Sequence, residues 1–283
     1  METGVTRVNA GGLRIRAAVR GDGRPLLLIS GIGGNIEMWE PFERALVGRS
    51  IQTITFDAPG TGGSEGWTIP RRMSTIADVA AGVLDALGYD EVDVLGVSFG
   101  GAVAQQLARQ APRRVRRLVL AATAPGVPGL GGIPGRPRAM LALATPRRYY
   151  DRDYLRSVAA TIYGGRIRND PELFAQQSQA RLLKPPSVRG YVAQLFAIAG
   201  WTNLPWLPFM RHPTLVLAGD DDPIIPVVNG RILAGLIPGA KLVVIPGGGH
   251  LFLLEQADDA ARHVLNFLGE AAGATVSSSG REP

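Results

Sequence analysis

Gly96-Val97-Ser98-Phe99-Gly100-Gly101 follows the apolar run Val92-Asp93-Val94-Leu95 and precedes a helix-like run, Ala102 to Ala108. A serine at so sharp a strand-to-helix turn is held in a strained backbone conformation with its hydroxyl pushed outward. The residues two before and two after it must be small, because the turn brings them close together. Both are glycine. The start of the following helix offers a positive dipole end and free N–H groups to a developing anion. The five-residue pattern alone is weak in a glycine-rich chain; its strand–turn–helix setting makes it specific.

The rest of the chain supplies a sheet to carry such a turn. Leu13-Arg14-Ile15-Arg16-Ala17 alternates apolar and polar after Gly11-Gly12, and with Thr6 to Asn9 it predicts a hairpin. Leu26 to Ile29 and Ile54 to Phe56 are short apolar runs ending in glycine- or aspartate-rich turns, as buried parallel strands do. Val92 to Leu95, Leu118 to Leu120, Leu215 to Leu217 and Leu242 to Ile245 read as further strands. Helices are expected over Met38 to Leu46, over Ile76 to Leu87, and over Ala260 to Leu268. Thr75 and Asp78 suggest a capping box for the second, and Gly88 a stop. Strands alternating with helices argue for an α/β fold, a mostly parallel sheet with helices on both faces.

That alternation breaks between about Pro125 and His212. The stretch is too long and too apolar for a loop. It reads as a helical cap inserted over the carboxyl edge of the sheet, where sites in such folds lie. The expected organisation is a core of residues 1–124 and 213–272, a cap of residues 125–212, and a disordered tail of residues 273–283.

Composition narrows the chemistry. With 283 residues and no cysteine, the chain suits one large domain and excludes disulfides, thiolate metal sites and a cysteine nucleophile. No metal-ligand spacing is present. The net charge is +6, and of 30 basic residues only Lys184 and Lys241 are lysine. The arginines are scattered, where a nucleic-acid reader concentrates them in one stripe. No signal-peptide core or run near the ~20 residues of a membrane span occurs, so a cytoplasmic protein is expected.

A serine nucleophile needs a base, and the base an orienting acid. Of three histidines, His212 precedes a strand and His263 lies in the last helix. His250 follows a strand and the turn Pro246 to Gly249, on the same sheet edge as Ser98. The acid is expected after Leu215-Val216-Leu217-Ala218-Gly219, among Asp220, Asp221 and Asp222, which cannot all face one imidazole. The aspartates not used are expected to cap the following turn. The oxyanion hole needs two backbone N–H groups. Phe99, directly after the nucleophile, and Ile32, in the turn Ser30-Gly31-Ile32-Gly33-Gly34-Asn35, are the candidates. That glycine series lacks the lysine and spacing of a phosphate loop.

With these residues the chain resembles the α/β-hydrolase superfamily. The order Ser98, Asp222, His250 matches its nucleophile–acid–base order, and Asp222 takes its usual acid spacing, with Asp221 as the alternative. Asp57-Ala58-Pro59-Gly60-Thr61-Gly62-Gly63-Ser64 resembles a turn of that fold that is more often structural than chemical. More narrowly, the chain is similar to intracellular medium-chain-length poly(3-hydroxyalkanoate) depolymerases over roughly residues 5–268. The oxyanion loop, and the elbow with Gln105-Gln106, carry part of this likeness. The cap segments Pro146 to Tyr149, Thr161 to Gly165, Asp170 to Leu173 and Gly200 to Thr202 carry the more specific part. Relatives often have His-Gly at Ser30-Gly31, which here removes a side-chain bond that holds the loop.

The resemblance implies hydrolysis of ester bonds in a stored polyester, giving 3-hydroxyacids or oligomers. No cofactor is needed, and the implied partners are a polyester or small ester and a granule surface. Trp201, Trp206 and Phe209, with Leu204, Leu207 and Met210, are candidates to contact its alkyl side chains or a hydrophobic granule; the alternative is that they pack the cap onto the core. The rival readings are a capped carboxylesterase, a lactonase or a carbon–carbon bond hydrolase, and a non-catalytic granule-binding or ligand-sensing protein.

Overall fold

Leu26-Leu27-Leu28-Ile29 is apolar at every position because both faces of its strand are covered. Leu27 and Ile29 pack with Ile76, Val79, Val83 and Val103 on one side. Leu26 and Leu28 pack with Trp39, Phe42 and Val264 on the other. The period-two alternation of side chains thus divides one apolar run between two cores, the pattern of a doubly covered parallel strand.

The computed structural model describes residues 4–270, so the expected tail at 273–283 and the last two residues of the expected core lie outside the described residues. The strands are β1 (Gly4–Ala10), β2 (Leu13–Arg20), β3 (Arg24–Ile29), β4 (Ile51–Phe56), β5 (Val92–Val97), β6 (Val115–Ala121), β7 (Thr214–Gly219) and β8 (Lys241–Ile245). Among the described residues they form one sheet in the order β1-β2-β4-β3-β5-β6-β7-β8. The β1–β2 hairpin and the β2–β4 pair are antiparallel, and the remaining pairs are parallel.

The helices are α1 (Glu40–Ala45), α2 (Met73–Leu87), α3 (Phe99–Gln110), α4 (Pro137–Leu143), α5 (Arg152–Tyr163), α6 (Pro171–Leu183), α7 (Val188–Ile198), α8 (Val227–Leu236), α9 (Phe252–Glu255) and α10 (Ala257–Glu270). Helices α2, α3 and α8 contribute to one core, and α1, α9 and α10 to the other. Helices α4 to α7 all lie between β6 and β7 in the chain; α4, α5 and α6 share a third apolar cluster around Ala139, Leu155, Ile162 and Phe174, and α7 joins the first core through Ala197. Among the described residues no helix is long and apolar enough to cross a membrane.

Two helix starts differ from expectation. The segment expected as a helix from Met38 begins as a 3-10 turn, Ile36–Trp39, because Asn35 Oδ1 accepts from Met38 N at 3.2 Å and caps it earlier; α1 follows at Glu40. Helix α2 starts at Met73, after the extended residue Arg72, so Thr75 and Asp78 lie inside it and form no capping box. Asp78 instead accepts from Gln110 Nε2 on α3, at 2.5 Å. Gly88 does end α2, in the left-handed region at φ 79°.

Candidate active site

Ser98 stands between β5 and α3 with φ 56° and ψ −118°, one of three non-glycine residues with positive φ among the described residues. Such a backbone costs about 1–3 kcal/mol and persists only where its surroundings over-determine it. The glycines are that determination. A Cβ on Gly96 would lie 2.3 Å from Gly100 O, and one on Gly100 would lie 2.0 Å from Ile29 O. A Cβ on Gly101 would meet Thr123, whose Oγ1 donates to Ser98 O at 2.8 Å. The turn is packed against β3 and β6 at backbone distance.

His250 Nε2 lies 3.0 Å from Ser98 Oγ, and its Nδ1 lies 2.7 Å from Asp222 Oδ2. The other Asp222 oxygen accepts from Ile224 N and Ile225 N, at 2.8 and 2.9 Å. The carboxylate is thereby fixed at both oxygens and turned to the imidazole. As an ionised acceptor it requires the proton on Nδ1, which leaves Nε2 free to accept from the serine.

Asp220 and Asp221 do not cap the turn that follows them. Asp220 accepts from Gly247 N at 2.7 Å and so ties β7 to the turn after β8. Asp221 faces the β6–β7 insertion, accepting from Gly165 N and Arg168 Nη2, both at 2.9 Å. Neither reaches His250, because Asp222 already occupies that direction. His212 Nε2 lies 3.1 Å from Pro112 O, and His263 pairs loosely with Asp259 on its own helix.

Ile32 sits beside Ser98 in the turn after β3, and Gly31 in that turn would place a Cβ 3.5 Å from Ser98 Cβ. Phe99 is the first residue of α3, so its N–H belongs to the unsatisfied helix start. Ser30 restores a side-chain tie to this loop: Trp39 Nε1 donates to its Oγ at 2.7 Å. Asp57 is buried and accepts from Ile36 N, Gly63 N and Arg16, an architectural role. Its carboxyl is nevertheless pushed above the usual range by burial.

Ser98 and His250 open onto a narrow cavity. Ile32, Met38, Leu143, Ile224, Leu251 and Leu254 give it an apolar wall, and Arg148, Tyr149, Tyr163 and Arg181 from the insertion complete it. Trp201, Trp206 and Phe209 are not part of it. Trp201 is buried with Leu207 and Met210 against Val103 and Leu107, its Nε1 donating to Gln106 Oε1 at 3.0 Å. Trp206 lies under the Arg109 guanidinium, 4.4 Å from its ring centre, and Phe209 is 71% exposed. Indole and phenyl rings here fill the seam between insertion and core, or face solvent.

The insertion is bonded to both loops that flank Ser98. Tyr149 OH donates to Ile32 O at 2.5 Å, and Gly33 N donates to Gln194 Oε1 at 2.7 Å. His250 N donates to Tyr163 O at 2.7 Å. Glu255 accepts from Arg166 N at 2.9 Å; burial pushes its carboxyl up to about 7. Sequence reasoning gives Tyr149, Gln194, Tyr163, Glu255 and Arg166 no part at the site. Arg148, Tyr149 and Tyr163 lie in segments it singled out for resemblance, but nothing in their local spacing says which way they face.

The family model for the alpha/beta hydrolase fold matches residues 24–257. A poly(3-hydroxyalkanoate) depolymerase of Ectopseudomonas oleovorans is 46% identical over 258 residues, 90% of this chain and 88% of that one. A 2-hydroxymuconate semialdehyde hydrolase of Pseudomonas putida is 36% identical, over 93% of each chain. Among solved structures, a thermophilic esterase from Thermogutta terrifontis is similar at a TM-score of 0.78 and 26% identity, over 93% of this chain and 97% of that one.

Proposed function

The chain belongs to the α/β-hydrolase family, and from that premise we propose that it is a serine hydrolase that cleaves the ester bonds of a medium-chain poly(3-hydroxyalkanoate). The observation that carries the chemistry is the relay from Asp222 through His250 to Ser98, at 2.7 and 3.0 Å, opening onto a mostly apolar cavity. The 46% identity to the depolymerase carries the choice of substrate. In this reading residues 125–212 act as the cap, and the protein works in the cytoplasm at the granule surface.

His250 takes the proton of Ser98 Oγ as that oxygen attacks the ester carbonyl. The N–H groups of Ile32 and Phe99 hold the oxyanion, and Asp222 balances the imidazolium. The tetrahedral intermediate collapses as His250 Nε2 returns the proton to the leaving alkoxide. Water, activated by the same nitrogen, then attacks the acyl-serine and releases the acid. Apolar walls suit the alkyl side chains of such a polyester.

The test compares wild type and Ser98→Ala on suspended poly(3-hydroxyoctanoate) and on p-nitrophenyl octanoate, following acid release. Serine-dependent release from both supports the reading, with kcat for the variant down by about 10⁴-fold or more. Cleavage of the small ester alone, on polymer shown to be amorphous, removes the polyester from it. The 36% identity to a 2-hydroxymuconate semialdehyde hydrolase favours a second reading, in which the same relay hydrolyses a carbon–carbon bond of such a semialdehyde. Turnover of 2-hydroxymuconate semialdehyde at a rate above that of the ester would establish it.

A further inference from the structure

The insertion places two guanidinium groups in the wall of an otherwise apolar cavity. Arg148 is 1% exposed and Arg181 is 4% exposed. A buried cation is ordinarily matched by a carboxylate, because its desolvation costs several kcal/mol (about that order) unless an anion answers it. Among the described residues, no carboxylate pairs with either arginine.

Their surroundings are phenols. Arg148 Nη1 donates to Tyr191 OH at 2.8 Å and to Thr145 O at 3.2 Å, and its guanidinium stands 4.7 Å from the ring centre of Tyr149. Arg181 donates to Tyr163 OH and stands over the rings of Tyr163 and Tyr149, at 4.8 and 5.5 Å. Ring faces orient a cation and recover part of its desolvation. They do not neutralise it, and burial pushes the Tyr191 phenol up to about 12, so it is uncharged near neutrality. Arg148 Nε is buried with no acceptor. The site is therefore two positive charges and an unanswered donor, held by aromatic rings in the cavity of the nucleophile. Planar, charge-assisted, bidentate recognition of a carboxylate is what guanidinium does best.

We propose that Arg148 and Arg181 form a carboxylate-binding subsite that takes the free acid end of a hydroxyacid chain whose ester lies at Ser98. The proposal rests on the polyester reading for its substrate and deepens it. With the terminal carboxylate at the arginines, the leaving alcohol is the terminal hydroxyacid itself, and the enzyme works inward from the acid end. Released hydroxyacid then occupies the same subsite and inhibits.

The experiment measures inhibition of p-nitrophenyl octanoate hydrolysis by 3-hydroxyoctanoate and by its neutral amide. Wild type is expected to favour the acid by about 10- to 100-fold, the range of a charge-assisted pair. Arg148→Gln and Arg181→Gln are each expected to reduce that ratio at least about tenfold. The ratio within one protein is unmoved by a general loss of active enzyme, and Arg181→Lys, retaining charge without the fork, should retain part of it. Equal inhibition by acid and amide in wild type overturns the proposal whether or not any variant folds. An acid preference that survives both glutamine variants overturns it too. Because the reporter is a small ester, failure to cleave polymer removes the polyester reading without touching this ratio. A preference for the free-acid dimer of 3-hydroxyoctanoate over its methyl ester, lost in the variants, ties the two together.

Discussion

The sheet edge and the β6–β7 insertion both face Ser98, and they hold their functional groups by different means. At the sheet edge the backbone does the work. Glycines at 96, 100 and 101 allow contact distances that no Cβ permits, and Asp222 is pinned by two N–H groups within three residues of itself. In the insertion, side chains do it across long sequence distances: Tyr149 to Ile32, Gln194 to Gly33, Glu255 to Arg166. Local geometry writes itself into short motifs, and long-range side-chain contact does not.

Adjacent aspartates divide between these regions and give the sharpest contrast. Asp222→Asn should lower kcat by about 10⁴-fold on p-nitrophenyl octanoate, because the amide favours the wrong imidazole tautomer. Asp221→Asn, whose side chain touches only the insertion and its arginines, should cost about tenfold at most, because its bonds reach His250 only indirectly. Comparable losses would abolish the distinction. Gly100→Ala probes the backbone arm. Its methyl would enter Ile29 O, so a loss of about 3 kcal/mol or more in unfolding free energy is expected from denaturant titration.

Glu255 tests the insertion arm through pH. Its carboxyl is raised from an ordinary 4.5 to about 7, mainly by burial, so the folded protein binds this proton more tightly than the unfolded one. The associated stability is fully present below about pH 4.5 and is lost as pH rises to and through 7, by up to about 3 kcal/mol. Subtracting the Glu255→Gln melting profile from that of wild type over pH 4.5–8 isolates this group from its neighbours Arg166 and His250. A flat difference would remove the pH-sensitive contact. The smallest effect is expected from Tyr149→Phe, which deletes one bond to Ile32 O: a loss of about 1 kcal/mol, read as a few-fold lower kcat with an unchanged Ser98→Ala background.

The same contrast explains what could be read from the chain alone. Parallel strands were legible because runs such as Leu26 to Ile29 are apolar on both faces, and the elbow because its glycines are obligatory. His250 and Ser98 come together in the structure because both follow parallel strands at one sheet edge. The aromatic residues of the insertion are ambiguous in the sequence. A tryptophan such as Trp201 carries the same apolar pattern whether it lines a cavity or, as here, plugs a seam against α3. Arg148 and Arg181 are hidden in the sequence for the opposite reason. In a chain with so many arginines, a buried one looks like the rest until a fold encloses it.

His250 N donates to Tyr163 O, on the insertion, while Tyr149 of the same insertion holds the Ile32 loop. The door is hinged to the lock. A displacement of the insertion wide enough to admit a bulkier molecule would release the backbone anchors of His250 and of the Ile32 loop together. Entry and reaction would then be successive states of one molecule, and a substrate reaching the open form would find Ser98 without its neighbours in place.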